Sequence, residues 1–297
     1  MERRRFGSTD MNVSVLGFGG AEIGFEAAPQ EHVDSLLNAA LDSGLNVIDT
    51  AECYADSEEK IGRAVAGRRG DFYLFTKCGH SSGFDLPDWD PKMLAMTIDR
   101  SLKLLQTDCV DLVQLHSCTE EILRQGDAIE VLQKAKSDGK TRYIGYSGDG
   151  TNARYAVECG AFDSLQTSCN VADQQCLTLT LPEAAKRGMA VIAKRPIANV
   201  AWRSGENPPA NGYYQSYWER LLKLRYDFLT EPDAVATALR FTLSQPEVSV
   251  AIVGTKNPSR WAVNSAYARL GGLPASASQA IRDRWSVVAA PDWVGQT

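Results

Sequence analysis

The feature that most limits how this chain folds is its regular alternation of short apolar or β-branched runs with longer amphipathic stretches. Strands are expected at Val15–Gly19, Asn46–Asp49, Phe72–Lys77, Asp111–His116, Tyr143–Ser147, Leu165–Thr167, Ala190–Ala193 and Val250–Val253. Helical patterns follow them at Glu31–Ser43, Glu58–Ala66, Lys92–Leu105, Glu121–Ser137, Asn152–Cys159, Leu181–Arg187, Pro232–Ser244 and Pro258–Ala268. Gly44, Gly139 and Gly188 supply stop signals after three of them. Strict alternation requires crossover connections, hence a parallel sheet, and eight units in roughly 250 residues is the count of a closed (β/α)8 barrel. The rival architecture is an open doubly wound sheet. Residues 1–14 are expected to form a hairpin over the barrel bottom and Ser276–Val288 an extra C-terminal helix. No repeat or linker divides the chain, so residues 1–297 are expected to form a single (β/α)8-barrel domain.

Charge narrows the partners. With 31 Lys and Arg against 37 Asp and Glu, the net charge is −6, and nothing supplies the basic face that nucleic acid or an anionic membrane would need. Met1-Glu-Arg-Arg-Arg is followed by Gly7-Ser-Thr-Asp rather than by the apolar stretch of an export signal, and no run reaches 18 apolar residues. Seven cysteines without a Cys-x-x-Cys pair fit reduced thiols in a cytoplasm.

Four polar residues stand where barrel strands end: Asp49, Lys77, His116 and, five residues beyond Asp49, Tyr54. Taken singly, each reads as an ordinary loop or structural residue. In a barrel, however, the ends of strands two, three and four converge on one mouth. Asp49, Tyr54, Lys77 and His116, in that order, resemble the catalytic tetrad of the aldo-keto reductase superfamily, and Asn46-Val-Ile-Asp-Thr-Ala-Glu-Cys-Tyr54-Ala-Asp-Ser-Glu58 is similar to its second-strand signature. The resemblance runs from the Val15 strand through the last barrel helix. It implies a (β/α)8 TIM barrel that reduces a small-molecule aldehyde, ketone or sugar-like carbonyl. Hydride would come from a nicotinamide and the proton from Tyr54.

The chemistry of that set is coherent. A free tyrosine has a pKa of ~10, so a phenol shuttles protons near neutrality only if positive charge favours its phenolate, and Lys77 is expected to supply that charge. Asp49 would orient Lys77, while His116 would donate a hydrogen bond to the substrate oxygen.

Further likeness concerns the cofactor. Gly145-Tyr-Ser147 and Leu165-Gln166-Thr-Ser-Cys-Asn170 resemble segments whose Ser and Gln hold the nicotinamide carboxamide. Ile252-Val-Gly-Thr-Lys-Asn-Pro-Ser-Arg-Trp-Ala-Val-Asn264 is similar to the adenosine-phosphate segment, with Thr255, Lys256, Arg260 and Asn264 as its candidate ligands. Cationic side chains and free backbone N–H groups at that helix start point to NADPH over NADH. Read without the resemblance, Ser147 and Gln166 are strand-end caps and Asn257-Pro258 merely starts a helix. Four positions depart from the family pattern. Gly148 stands where Asn is common, Lys194 precedes Arg195-Pro196 where an aromatic or small polar residue is usual, Gly20 replaces a frequent hydroxyl, and Val263 stands before Asn264 where an acid can read adenine. Lys194 is a candidate cofactor ligand on this reading.

Two long connections, Cys78–Pro91 and Asn199–Gln215, should shape the substrate pocket, with Phe25, Trp89 and Trp202 as its walls or as plugs over the barrel end. Gly17-Phe-Gly19-Gly20 fails as a dinucleotide fingerprint because position 22 is Glu. Tyr73 and Lys77 have the Tyr-x-x-x-Lys spacing of short-chain dehydrogenases but lie in a strand. Cys53, Cys78, His80, His116 and Cys118 raise a metal-dependent barrel hydrolase as an alternative, yet no His-x-His or His-Glu-x-x-His spacing supports it, and no metal ligand is assigned. Thiols near Tyr54 and His116 are instead expected to make activity sensitive to alkylation. Potassium-channel β subunits supply a further alternative, a cofactor-binding, redox-sensing regulatory subunit with little turnover. The sequence carries no heptad pattern or isolated apolar stripe that would announce an oligomer.

Overall fold

The structure, a computed structural model, describes residues 1–296. An antiparallel hairpin, β1 (Arg3–Arg5) with β2 (Asn12–Ser14), precedes eight parallel strands: β3 (Leu16–Gly19), β4 (Val47–Asp49), β5 (Tyr73–Cys78), β6 (Val110–His116), β7 (Thr141–Ser147), β8 (Ser164–Ser168), β9 (Ala190–Lys194) and β10 (Val248–Gly254). They pair in chain order and β10 closes on β3, giving the expected closed barrel.

The two-residue period of the strands sorts their side chains into two cores. Outward residues such as Ile48, Leu74, Val113 and Leu115 pack against the helices. Inward residues Val47, Phe75, Leu112, Ile192 and Val250 form an apolar floor that includes Phe6, Met11 and Val13 from the hairpin. The Phe6 and Phe75 rings sit 5.2 Å apart, so the hairpin plugs the end at which the strands begin. Tyr73 belongs to that end, its hydroxyl accepting from the Asn12 amide at 3.3 Å. Lys77, four residues on, reaches the opposite layer. The Tyr73–Lys77 spacing is therefore a strand coincidence.

Helices depart from expectation in three places. The stretch expected as one helix over Glu121–Ser137 is two, Glu120–Gln125 and Asp127–Ser137, because Gly126 takes φ 91° and reverses the chain locally. A helix at Gln215–Leu224, absent from the sequence reading, buries Tyr217, Trp218, Leu221 and Leu224 with helical spacing against Ala198, Ala201 and Tyr226. Short helices also form at Ala21–Phe25 and Cys176–Leu179. The extra C-terminal helix, Ala275–Val288, forms as expected. Among the described residues no helix is long and apolar enough to cross a membrane.

Candidate active site

Two residues above the apolar floor, inward positions become polar. Asp49, Lys77, Gln114 and Gln166 are all buried in the barrel interior. Lys77 Nζ donates to Asp49 Oδ1 at 2.6 Å and to the Thr50 carbonyl at 2.7 Å. Gln114 Nε2 donates to Gln166 Oε1 at 2.9 Å and to Asp49 Oδ2 at 3.4 Å, and Gln166 Nε2 reaches Asp49 Oδ1 at 3.4 Å. Gln114 was not singled out from the sequence; its inward place two residues before His116 was the available signal. Gln166, a candidate carboxamide ligand, thus has both ends of its amide engaged inside the barrel.

Tyr54 and His116 stand over this layer. Lys77 Nζ lies 5.0 Å from the centre of the Tyr54 ring, and the Tyr54 and His116 rings meet edge-on at 5.7 Å. All four residues expected to converge do so. The expected electrostatics need correction. Burial pushes the Tyr54 phenol up to about 12, Lys77 pulls it down less strongly, and Asp49 adds to the upward push. The phenol is therefore protonated near neutrality rather than poised as phenolate. Burial, then the positive charge of Lys77 and Lys194, drives His116 well below its ordinary range, so its imidazole is neutral. Burial pulls Lys77 down most strongly, but the Asp49 carboxylate, with Tyr54 and Cys53 adding, outweighs it and keeps the ammonium charged.

The backbone is strained where these residues leave their strands. Ala55, Ser117 and Arg195, each just after a candidate residue, take φ values of 48°, 67° and 56°. Left-handed conformations of this kind cost a non-glycine residue about 1–2 kcal/mol and recur at functional sites.

The remaining candidates separate into groups. Ser147 is buried at the end of β7, in register with His116 and Gln166. Lys194 pairs with Asp149 at 2.8 Å, and that carboxylate also accepts from Thr167 Oγ1 and the Ser168 amide. Asp149 was missed; only its place two residues after Ser147 marked it. Beside it, Arg195 donates to Ser168 Oγ at 2.7 Å and to the carbonyl of Gln296, which lays the C-terminal tail against the rim. Gly148 explains its own departure from the family pattern, since a Cβ there would lie 2.5 Å from Tyr146 Oη. A Cβ on Gly20 would likewise come within 2.7 Å of Ser57 Oγ.

At the end of β10, Thr255 Oγ1 accepts from the Asn257 amide, and Asn257 Oδ1 accepts from the Ser259 and Arg260 amides. The backbone donors expected to serve an anion are thus capped by the chain itself. Lys256 and Arg260 are exposed there, and Asn264 is buried farther along the helix. Two cationic side chains stand at this rim, of which Lys256 is paired with Glu26 at 2.7 Å. A Cβ on Gly254 would collide with the Glu22 carboxylate. Burial, with Glu26 adding, pushes that carboxyl up to about 7, which softens the repulsion an acid would offer a phosphate.

Phe25 is 64% exposed and meets the Tyr54 ring at 5.4 Å. Trp89 packs at 5.7 Å from the His80 ring and over Gly79, where no side chain would fit. Trp202 packs against the separate apolar cluster around Tyr217 and Trp218. Of the five Cys and His residues weighed as metal ligands, Cys53, His80 and His116 gather at the mouth, whereas Cys78 and Cys118 are buried in the outer core. Burial, with Glu52 adding, pushes the Cys53 thiol up to about 12, and burial does the same to Cys118. Both are thiols rather than reactive thiolates, against the expected sensitivity to alkylation.

Known proteins resemble this chain in sequence and fold. The profile of the aldo/keto reductase family matches residues 15–284. An uncharacterized oxidoreductase, YqkF of Bacillus subtilis, is 30% identical over 270 residues, 86% of this chain and 87% of its own length. The L-galactose dehydrogenase of Arabidopsis thaliana is 29% identical over 88% of this chain and 86% of its own. D-threo-aldose 1-dehydrogenase from a Pseudomonas species is 25% identical, covering 87% and 90%. The holo form of an aldo-keto reductase from Bacillus halodurans superposes with a TM-score of 0.85 at 25% identity, over 98% of this chain and 99% of that one.

Proposed function

Because the chain belongs to the aldo/keto reductase family, a family of NAD(P)H-dependent oxidoreductases, we propose that it reduces a small aldehyde, ketone or sugar-like carbonyl with NADPH, and with NADH less well. The observation that carries this reading is the Tyr54 phenol held over the sealed Lys77–Asp49 pair and beside the His116 imidazole. When bound, the nicotinamide supplies hydride to the carbonyl carbon. Tyr54 gives its proton to the carbonyl oxygen, and Lys77 stabilises the phenolate left behind. Asp49, braced by Gln114 and Gln166, fixes Lys77. His116, neutral and therefore a donor rather than an acid, gives the same oxygen a second hydrogen bond.

Ser147, Lys194, Thr255, Lys256, Arg260 and Asn264 are the proposed cofactor contacts. Gln166 is proposed to act through Asp49 as well. Phe25 and Trp89, flanking Tyr54 and His80, are the proposed substrate walls. Trp202 is a weaker candidate, given its packing. Two relatives named for aldose substrates favour the sugar-like class and warrant assay in the oxidative direction too. Seven free cysteines and the acidic surface are consistent with a cytoplasmic protein that binds neither nucleic acid nor membrane.

The test is NADPH oxidation across a panel of aldehydes, ketones and aldoses, with NADP-dependent oxidation of the aldoses alongside. Turnover that collapses in Tyr54→Phe supports the proposal. Tight NADPH binding without turnover on any substrate replaces it with the regulatory-subunit reading.

A further inference from the structure

Three consecutive strand ends deliver soft ligands to one point. Cys53 follows β4, His80 follows β5 and His116 ends β6. Cys53 Sγ lies 3.4 Å from His116 Nδ1, the two imidazole centroids are 5.3 Å apart, and ligand atoms of all three residues lie within 4.8 Å of one another. Tetrahedral zinc with its usual Zn–S and Zn–N lengths places neighbouring ligand atoms about 3.4–3.6 Å apart. Closing this set therefore takes side-chain shifts of about one ångström by the same bond lengths and no rebuilding of the backbone.

A second observation points the same way. His80 Nδ1 is bonded to Asp88 Oδ2 at 3.2 Å, which leaves Nε2 as the nitrogen available to a cation. Asp88 is itself held by the Ser81 amide at 2.7 Å. A carboxylate behind an imidazole is the arrangement that orients histidines and raises their basicity at zinc centres. Beside the ligands, Glu52 accepts from the His80 amide at 3.0 Å while its buried Oε2 has no partner.

We propose that Cys53, His80 and His116 form a binding site for a borderline-soft divalent cation, Zn2+ foremost, whose occupancy shuts the carbonyl-reducing site. One sulfur and two nitrogen donors select against Mg2+ and Ca2+, which prefer oxygen. Binding forms a Zn–S bond as the Cys53 S–H bond breaks and its proton passes to solvent. No electrons are transferred, and water completes the tetrahedron. The cation and its water, held between Cys53 and His116 Nδ1, would occupy the mouth beside Tyr54 where a substrate carbonyl has to sit. This inhibitory half rests on the role proposed for Tyr54, whereas the binding half does not.

Titration of the full chain with Co2+ separates the two. A thiolate-to-cobalt absorption band in the near ultraviolet, bleached by Zn2+, is expected for the wild type. It should vanish in Cys53→Ser, and affinity should fall at least ~10-fold in His80→Gln and in Asp88→Asn. In parallel, Zn2+ should inhibit turnover reversibly on chelation, and Cys53→Ser and His80→Gln should turn over normally while losing that sensitivity. No cobalt–thiolate band, or equal zinc inhibition of wild type and both variants, overturns the proposal. A normal cobalt band in a protein without carbonyl turnover overturns the inhibitory half and counts against the reductase reading, leaving the metal site intact.

Discussion

Lys77 Nζ lies 2.6 Å from Asp49 Oδ1 with each side chain 1% exposed, so the charge that steadies the Tyr54 phenol is sealed inside the barrel. Removing one partner of such a pair strands the other, at about 3–5 kcal/mol. Lys77→Met should lose stability on that scale in urea denaturation. The double variant Lys77→Met with Asp49→Asn should recover part of the loss, because Gln114 and Gln166 then face a neutral amide. A single variant as stable as the wild type contradicts the buried ion pair.

On the proposed mechanism Tyr54 serves the reaction rather than the fold, since its contacts with Phe25 and His116 are ring contacts that phenylalanine keeps. Tyr54→Phe should therefore lower kcat by at least the ~10²-fold typical of a positioned acid. Its thermal midpoint should stay close to the wild type. Normal kcat would reject Tyr54 as the proton donor.

The pH dependence follows from opposite shifts. Tyr54 is pushed up to about 12 and stays protonated across neutrality, while His116, driven well below its ordinary 6.5, stays neutral there. Reduction needs the phenol proton, so kcat/KM for a carbonyl should run flat through neutrality and fall only as pH climbs toward about 12. Oxidation needs the phenolate as base and should rise over the same alkaline range. An alkaline limb in reduction centred at or below tyrosine's ordinary 10, or an acid limb near 6.5, contradicts these assignments.

Periodicity made the barrel legible because buried parallel strands are apolar runs, and their ends are marked by the first charged residue. Asp49, Lys77 and His116 stood out for that reason. Gln114 did not, since a neutral amide inside an apolar strand carries no such mark and its meaning depends on Asp49 and Gln166 arriving from other strands. Asp149 did carry such a mark, as the first charged residue after β7, but its meaning depended on Lys194, which lies on a strand far along the chain. The helix Gln215–Leu224 went unseen because it adjoins a polar, glycine- and proline-rich loop, although its apolar spacing is regular. The sign of the Tyr54 shift was illegible too, because it depends on how far burial outweighs Lys77.

The rim at β10 yields a prediction about cofactor choice. Lys256 Nζ lies 2.7 Å from Glu26 Oε2, and both side chains are about half exposed at 52% and 45%. Exposed pairs of this kind are worth ~0–1 kcal/mol, so the contact is weak enough for a phosphate to compete with it but still subtracts from binding. Glu26→Gln should free Lys256 and tighten NADPH by up to ~5-fold, the equivalent of 1 kcal/mol, as read by nicotinamide fluorescence titration. Lys256→Ala should weaken NADPH, and Glu26→Gln should then add nothing on that background. NADH, which lacks the 2′-phosphate, should respond little to either change. Equal tightening of NADH and NADPH by Glu26→Gln would place the effect in general electrostatics at the rim and remove Lys256 as the phosphate ligand.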